Sequence, residues 1–215
     1  MKAGILGSGA VGQVLARAFY NEGYEVKLGT DHADKEKIVK FKNENPGIQV
    51  GSFKETAAFG EILVLAVAGA VVDKVIASAV KSNFANKVVI DTTNPIATAP
   101  PVNGVLKYFT SMDESLMEKI QQQLPEAKLV KAFNSVGNAA MYKPVYKEGK
   151  PGMFICGNDE AAKKLFAGIL AMFGWEIEDM GKVEAARAIE PLCMLWCIPG
   201  FLSNQWNHAF KLLKA

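Results

Sequence analysis

The sequence predicts a doubly wound α/β fold, a mostly parallel sheet with a helical C-terminal region packed on it. Three observations lead there. Short apolar runs alternate with amphipathic stretches along most of the 215 residues, the order that builds a parallel sheet covered by helices. The first run, Lys2–Leu6, leads directly into Gly7, Gly9 and Gly12 in G-x-G-x-x-G spacing, and Val14, Leu15, Ala18 and Phe19 then recur at helical period. Residues 61–68, EILVLAVA, are almost continuously apolar, as a strand buried on both faces must be.

From the N-terminus, the first strand and its glycine turn give way to a helix over residues 10–21, ending near Gly23. A second strand covers 25–29. Residues 31–45 read as a charged, solvated helix stopped by Asn45-Pro46-Gly47. A short third strand follows at 48–51 and a fourth at 61–68. A helix is expected over 71–80 and a fifth strand, KVVID, over 87–91. Residues 92–111 carry Pro95, Pro100, Pro101 and Gly104 and lack periodicity, so they form a long loop at the carboxyl end of a strand. A helix over 113–123, a sixth strand over 128–133 and a seventh over 152–157 come next. An amphipathic helix over 159–173 ends at Gly174, before a last strand over 175–178. From Lys182 onward the chain reads as helical with a break at Pro199-Gly200. Residues 1–181 are therefore expected to form one Rossmann-type unit, and residues 182–215 a helical extension of the same domain.

The opening strand, glycine turn and helix have the form a dinucleotide diphosphate requires. Gly7 makes the tight turn and Gly9 lets the backbone approach the phosphates. Gly12 lets the helix pack against the strand. The free amides from Ser8 through Ala10 and Val11, at the positive end of the helix, then face the phosphate charge. A parallel sheet aims its strand ends at such a ligand. Val67-Ala68, Asn94-Pro95 and Ala132 with Asn134 should thus share one crevice, the two asparagines offering neutral amides to a carboxamide or ring carbonyl.

The end of the second strand bears on the choice between NADP and NAD. Thr30 stands where an NAD enzyme carries an acid and can bond a phosphate. His32, Lys35 and Lys37 could supply positive charge, whereas Asp31 opposes it or caps the following helix. The local residues are divided between the two cofactors.

Residues suited to other chemistry are scarce. The two histidines, His32 and His208, stand far apart, and neither a Ser-His-Asp set, H-E-x-x-H nor C-x-x-C is present. Cys193 and Cys197 share a predicted apolar helix face and read as core. Tyr108, Lys131 and Lys143 are candidate proton donors, with surface exposure the ordinary expectation for each. Hydride transfer between stacked rings demands little acid–base help, whereas ketone reduction calls for a proton donor.

Composition narrows the partners. A formal charge of +2 without a basic block argues against nucleic acid. Three cysteines form no disulfide framework and suit a reducing compartment. The N-terminal run is a strand and not a leader, and the longest apolar run, 191–202, is short for a bilayer. The expectation is a cytoplasmic protein whose partner is a small-molecule redox acceptor, with neither nucleic acid nor membrane. Its apolar C-terminal stretch caps the sheet or forms a homodimer contact.

The segments GILGSGAVGQVLARAF, LAVAGAVVDKVI, VVIDTTNPI, LVKAFNSVG, MFICGNDEAAKKL and ARAIEPLCMLW, in that order, resemble the NADP oxidoreductase, coenzyme F-420-dependent family. Its members are NADPH:F-420 reductases, and related domains in metalloreductases pass hydride to a flavin. The resemblance implies NADPH binding along Gly7 to Val11, at Thr30, around Val67-Ala68 and near Asn94 and Ala132. It also implies a flavin or F-420 as the second substrate, stacked on the nicotinamide. Asp31 departs from the family, in which Arg commonly meets the 2′-phosphate, so NAD or dual use stands beside NADP. A dinucleotide-binding sensor without turnover and a small imine or ketone reductase are the rival readings.

Overall fold

A computed structural model describes residues 1–214. Six parallel strands form the main sheet in the order β3-β2-β1-β4-β5-β6, with β1 Lys2–Leu6, β2 Glu25–Gly29, β3 Gln49–Gly51, β4 Ile62–Leu65, β5 Val88–Asp91 and β6 Lys128–Lys131. The order reverses between β1 and β4, so a crevice opens there at the carboxyl ends of the strands. One core face packs Phe19 of α1 (Ala10–Asn21) and Phe166 of α6 (Glu160–Met172) against Ile5, Val64, Ile90 and Val130. The other packs α3 (Phe53–Phe59), α4 (Val72–Ala79) and α5 (Leu116–Gln123) against Leu63, Leu65, Val89 and Leu129. Every residue of β4 is buried, as its unbroken apolar run requires.

Five expectations need correction. The charged helix α2 spans Glu36–Glu44, beginning later than residue 31. The Thr30 hydroxyl accepts the His32 amide at 3.1 Å and the His32 carbonyl takes the Lys35 amide at 3.2 Å, so residues 31–35 turn first. Lys35, not Asp31, occupies the N-cap. Helix α3 was not expected, although Ser52 and Glu55 close a capping box at its start. Strands β7 (Gly152–Ile155) and β8 (Glu176–Asp179) form a separate parallel pair, tied to the edge of β6 where the Lys131 amide donates to the Cys156 carbonyl at 3.0 Å.

Another correction concerns the C-terminal region. After α7 (Ala186–Ile189), α8 runs Pro191–Ser203 straight through Pro199-Gly200 and stops at Asn204, whose φ of 54° is left-handed. The carbonyl that Pro199 leaves without its i+4 amide belongs to Leu195, a residue 55 % exposed. Residues 204–214 are not helical. They fold back because Gly200, lacking a side chain, lets the Trp206 ring lie on the helix. His208 stacks on Trp196 at 5.0 Å, and the Phe210 carbonyl accepts the Gly152 amide at 2.9 Å.

The helical stretch Val183–Ser203 is long and apolar enough to cross a membrane by length and composition, contrary to the expectation drawn from 191–202 alone. Here it is part of the protein body: Cys193, Trp196 and Cys197 turn inward, and Glu190 is buried in an ion pair.

Candidate functional site

The glycine turn takes its shape from what a side chain would strike. Gly7 has φ 131°, a region L-residues avoid, and a Cβ there would overlap the Ala66 carbonyl. A Cβ at Gly12 would overlap the Gly7 carbonyl, so α1 meets β1 only because Gly12 has none. Gly9, the N-cap of α1, faces open space, with nothing within 4 Å of its would-be Cβ. No side chain caps α1 and no acid occupies its first turn. Unshielded amides beside a vacant Cβ position suit an approaching diphosphate.

Next to that turn lies a cleft of about 500 Å³. Gly9, Ala10 and Val11 form one wall, Val67, Ala68 and Gly69 after β4 another, and Thr92, Asn94, Ile96 and Thr98 after β5 the third. None of the residues that line it is ionisable. A cavity of similar size, about 560 Å³, lies by Lys128 and Asn158 at the amino end of β6. The sheet does not aim its strand ends there.

The candidate residues separate into three groups. Gly9, Ala10, Val11, Val67, Ala68 and Asn94 line the cleft, while Gly7 and Gly12 shape the turn beneath it. Thr30, Asp31 and His32 sit together beyond β2, Thr30 nearly buried and the other two exposed. Ser8 Oγ donates to Thr30 Oγ1 at 2.9 Å, which ties the glycine turn to the end of β2. With the His32 amide on the same oxygen, both acceptor positions of Thr30 are taken and its own proton is what it can offer a ligand. Pro95 and Ala132 are buried behind the cleft, Ala132 with no exposed surface at all.

Asn134 is buried as well, and it braces the wall. Its Nδ2 donates to the Ile189 carbonyl at 2.7 Å, and its carbonyl accepts Asn94 Nδ2 at 2.7 Å. Neither asparagine side chain bonds its own turn. Asn94 Oδ1, approached only at 3.5 Å by Asn134 Nδ2, keeps capacity to accept, on a residue that lines the cleft.

The sequence missed an ion-pair cluster beneath this wall. Lys131, with no exposed surface, places Nζ 2.7 Å from Asp91 Oδ2 and 2.8 Å from Glu190 Oε1. Burial would pull its pKa down, but the two carboxylates outweigh burial and hold it above the ordinary lysine value. Lys131 is therefore a fixed cation out of reach of the cleft, which corrects the expectation of an exposed proton donor. Tyr108 is partly buried. Burial, with Cys193 and Glu190 nearby, raises its pKa, and its hydroxyl donates to the Glu190 carbonyl at 2.8 Å. Lys143 is exposed as expected, 2.8 Å from Glu22 on the far end of α1. Cys193 and Cys197 are buried free thiols, in keeping with core packing. Among the described residues no group of His, Cys, Asp and Glu is arranged to hold a metal ion.

Known proteins resemble this chain in sequence and in fold. Residues 2–95 match the family described as NADP oxidoreductase, coenzyme F420-dependent. The F420-dependent NADP reductase of Methanocaldococcus jannaschii is 31 % identical over 116 residues, 54 % of this chain and 51 % of that protein. Metalloreductase STEAP3 of Rattus norvegicus is 27 % identical over 207 residues, 94 % of this chain and 39 % of that protein. The chain thus spans about half or less of the length of these curated relatives. A crystal structure from Arthrobacter sp. FB24, provisionally described as an F420-dependent NADP reductase, superposes with a TM-score of 0.91 at 30 % identity, covering 99 % of both chains. With its glycine turn, its reversal between β1 and β4 and a full-length relative in the same fold, the chain belongs to the coenzyme F420-dependent NADP oxidoreductase family.

Proposed function

We propose that this chain moves hydride between a nicotinamide dinucleotide, NADPH in preference, and a flavin or deazaflavin acceptor such as F-420. The observation that carries the reading is the lining of the cleft: bare glycine-turn amides at one end, small and neutral side chains elsewhere, and no ionisable group. Such a surface binds a charged diphosphate and holds two flat rings together. It holds no ionisable proton donor for a carbonyl or imine, which supports this reading over a ketone or imine reductase.

The residues present fit the dinucleotide, because a side chain at Gly9 would stand in the space the backbone leaves open. The amides after Gly9 would hold the diphosphate. The Asn94 Oδ1 would accept from the nicotinamide carboxamide. Ile96 and Thr98 would cover the ring edge against water. The reduced nicotinamide supplies the hydride. Proximity and exclusion of water are the protein's contribution.

Rapid mixing of the NADPH-loaded protein with FMN, FAD or F-420 under anaerobic conditions tests the reading. Loss of NADPH absorbance with matching acceptor reduction is the expected result. Tight NADPH binding without reduction of any of the three would favour a sensor instead.

Asp31 supplies a second test. Its carboxylate is exposed beside the bound Thr30 hydroxyl, where a 2′-phosphate would lie. Asp31→Arg replaces a like charge by an opposite one and is expected to tighten NADPH by about 1 kcal/mol, several-fold in Kd, with little change for NADH. Equal effects on the two dinucleotides would place Asp31 away from the phosphate.

A further inference from the structure

Asp91, Lys131 and Glu190 touch no part of the glycine turn, yet they fix the wall of the cleft after β5. Lys131 Nζ directs its donors to Asp91, to Glu190 and, at 2.8 Å, to the Thr93 carbonyl. Asp91 Oδ1 accepts the Thr93 amide at 2.9 Å and the Thr93 hydroxyl at 2.7 Å. Thr93 is thus held by its amide, hydroxyl and carbonyl, and it stands between Thr92 and Asn94, which face the cleft.

Glu190 joins this cluster to the rest of the wall. Its carboxylate also accepts the Leu116 and Met117 amides at 2.9 and 3.0 Å, anchoring the start of α5. Its carbonyl takes the Tyr108 hydroxyl, and Tyr108 pairs in a β-bridge with Ile96, another lining residue. One residue earlier, the Ile189 carbonyl carries Asn134, which carries Asn94. Every donor on Lys131 and every group on Glu190 named here has a partner, although Asn134 Oδ1 has none, and losing an acceptor at the centre disturbs all the groups it joins.

We propose that Glu190 is a positioning residue for the nicotinamide half of the dinucleotide, acting through Lys131 and Tyr108 on Thr92, Asn94 and Ile96. The proposal rests on the dinucleotide reading above and deepens it. In a doubly wound sheet the adenosine half lies toward β2 and the other half toward β5, so a disturbance centred on Glu190 reaches only one end of the ligand.

The test compares two ligands in direct binding: NADPH, and 2′-phospho-ADP-ribose, which is the same molecule without its nicotinamide. Glu190→Gln puts an NH2 donor among the donors that Glu190 now satisfies. It is expected to weaken NADPH about tenfold while shifting 2′-phospho-ADP-ribose less than about twofold. Tyr108→Phe leaves the Glu190 carboxylate in place and removes the hydroxyl that ties to the Glu190 backbone carbonyl and meets the Cys193 thiol, and its expected effect is about threefold in the same direction. It decides the matter by itself if Glu190→Gln does not fold. Equal losses for the two ligands, or no loss for either, would overturn the positioning role. Wild-type protein that binds both ligands but reduces no acceptor would sink hydride transfer and leave this comparison standing. Wild-type protein that binds neither would sink both.

Discussion

Lys131→Met is expected to lower the free energy of unfolding by about 3–5 kcal/mol. The methionine matches the lysine stem in length, so the loss is electrostatic more than steric. It strips the cation from a site where Asp91 is 0 % and Glu190 1 % exposed, leaving two carboxylates facing each other without solvent. One must then take up a proton in the folded state that it releases on unfolding. A carboxylate whose folded pKa is raised makes the native state bind more protons than the unfolded one, so the deficit is greatest at neutral pH and shrinks as the medium is acidified. Adding Asp91→Asn removes the surplus charge and should recover part of the stability. Urea unfolding followed by circular dichroism measures all three effects. A loss below about 1 kcal/mol at neutral pH would mean that the cluster is not buried as described.

Gly9→Val is expected to separate binding from folding. The new side chain enters open space, so stability should change by no more than about 1 kcal/mol, the usual cost of a poor N-cap. The same side chain would occupy the approach to the α1 amides. Losing one or two charge-assisted hydrogen bonds there should weaken NADPH about 10- to 100-fold. Gly7→Ala is the contrast. At φ 131° and against the Ala66 carbonyl, the added methyl should destabilise the fold by about 1–3 kcal/mol whether or not ligand is present. Isothermal titration with thermal unfolding on both variants reads the difference. Equal damage to folding from both would show that Gly9 is structural and not a phosphate contact.

Much of the fold was legible because it depends on neighbours in sequence. The β1–turn–α1 unit has the expected bounds, with Ala10–Asn21 for the helix, since three glycines and an apolar stripe define it locally. The cleft after β1, β4 and β5 follows from parallel strands ending on one side. The overlooked helix α3 was also within reach, through the S-x-x-E spacing of Ser52 and Glu55. The link from Ser8 to Thr30 could have been inferred from β1 and β2 ending in register at Leu6 and Gly29.

Other features depend on partners that one stretch of sequence does not reveal. Lys131 in KLVKAF looks like a strand-end lysine bound for solvent. Its burial is set by Asp91, 40 positions away, and by Glu190 of a helix later still. The C-terminal aromatics satisfy a helical pattern, and Gly200 reads as a breaker. Instead Gly200 is the recess that receives Trp206, and the chain beyond Ser203 returns to β7. Propensity yielded to packing there.

A crystal structure with NADPH bound tests the whole account most directly. The account requires the diphosphate on the amides after Gly9, the 2′-phosphate near Thr30 and Asp31, and the nicotinamide between Ala68 and Asn94 with one face open for a second ring. NADPH seated anywhere else, or a glycine turn that stays clear of the diphosphate, would contradict it.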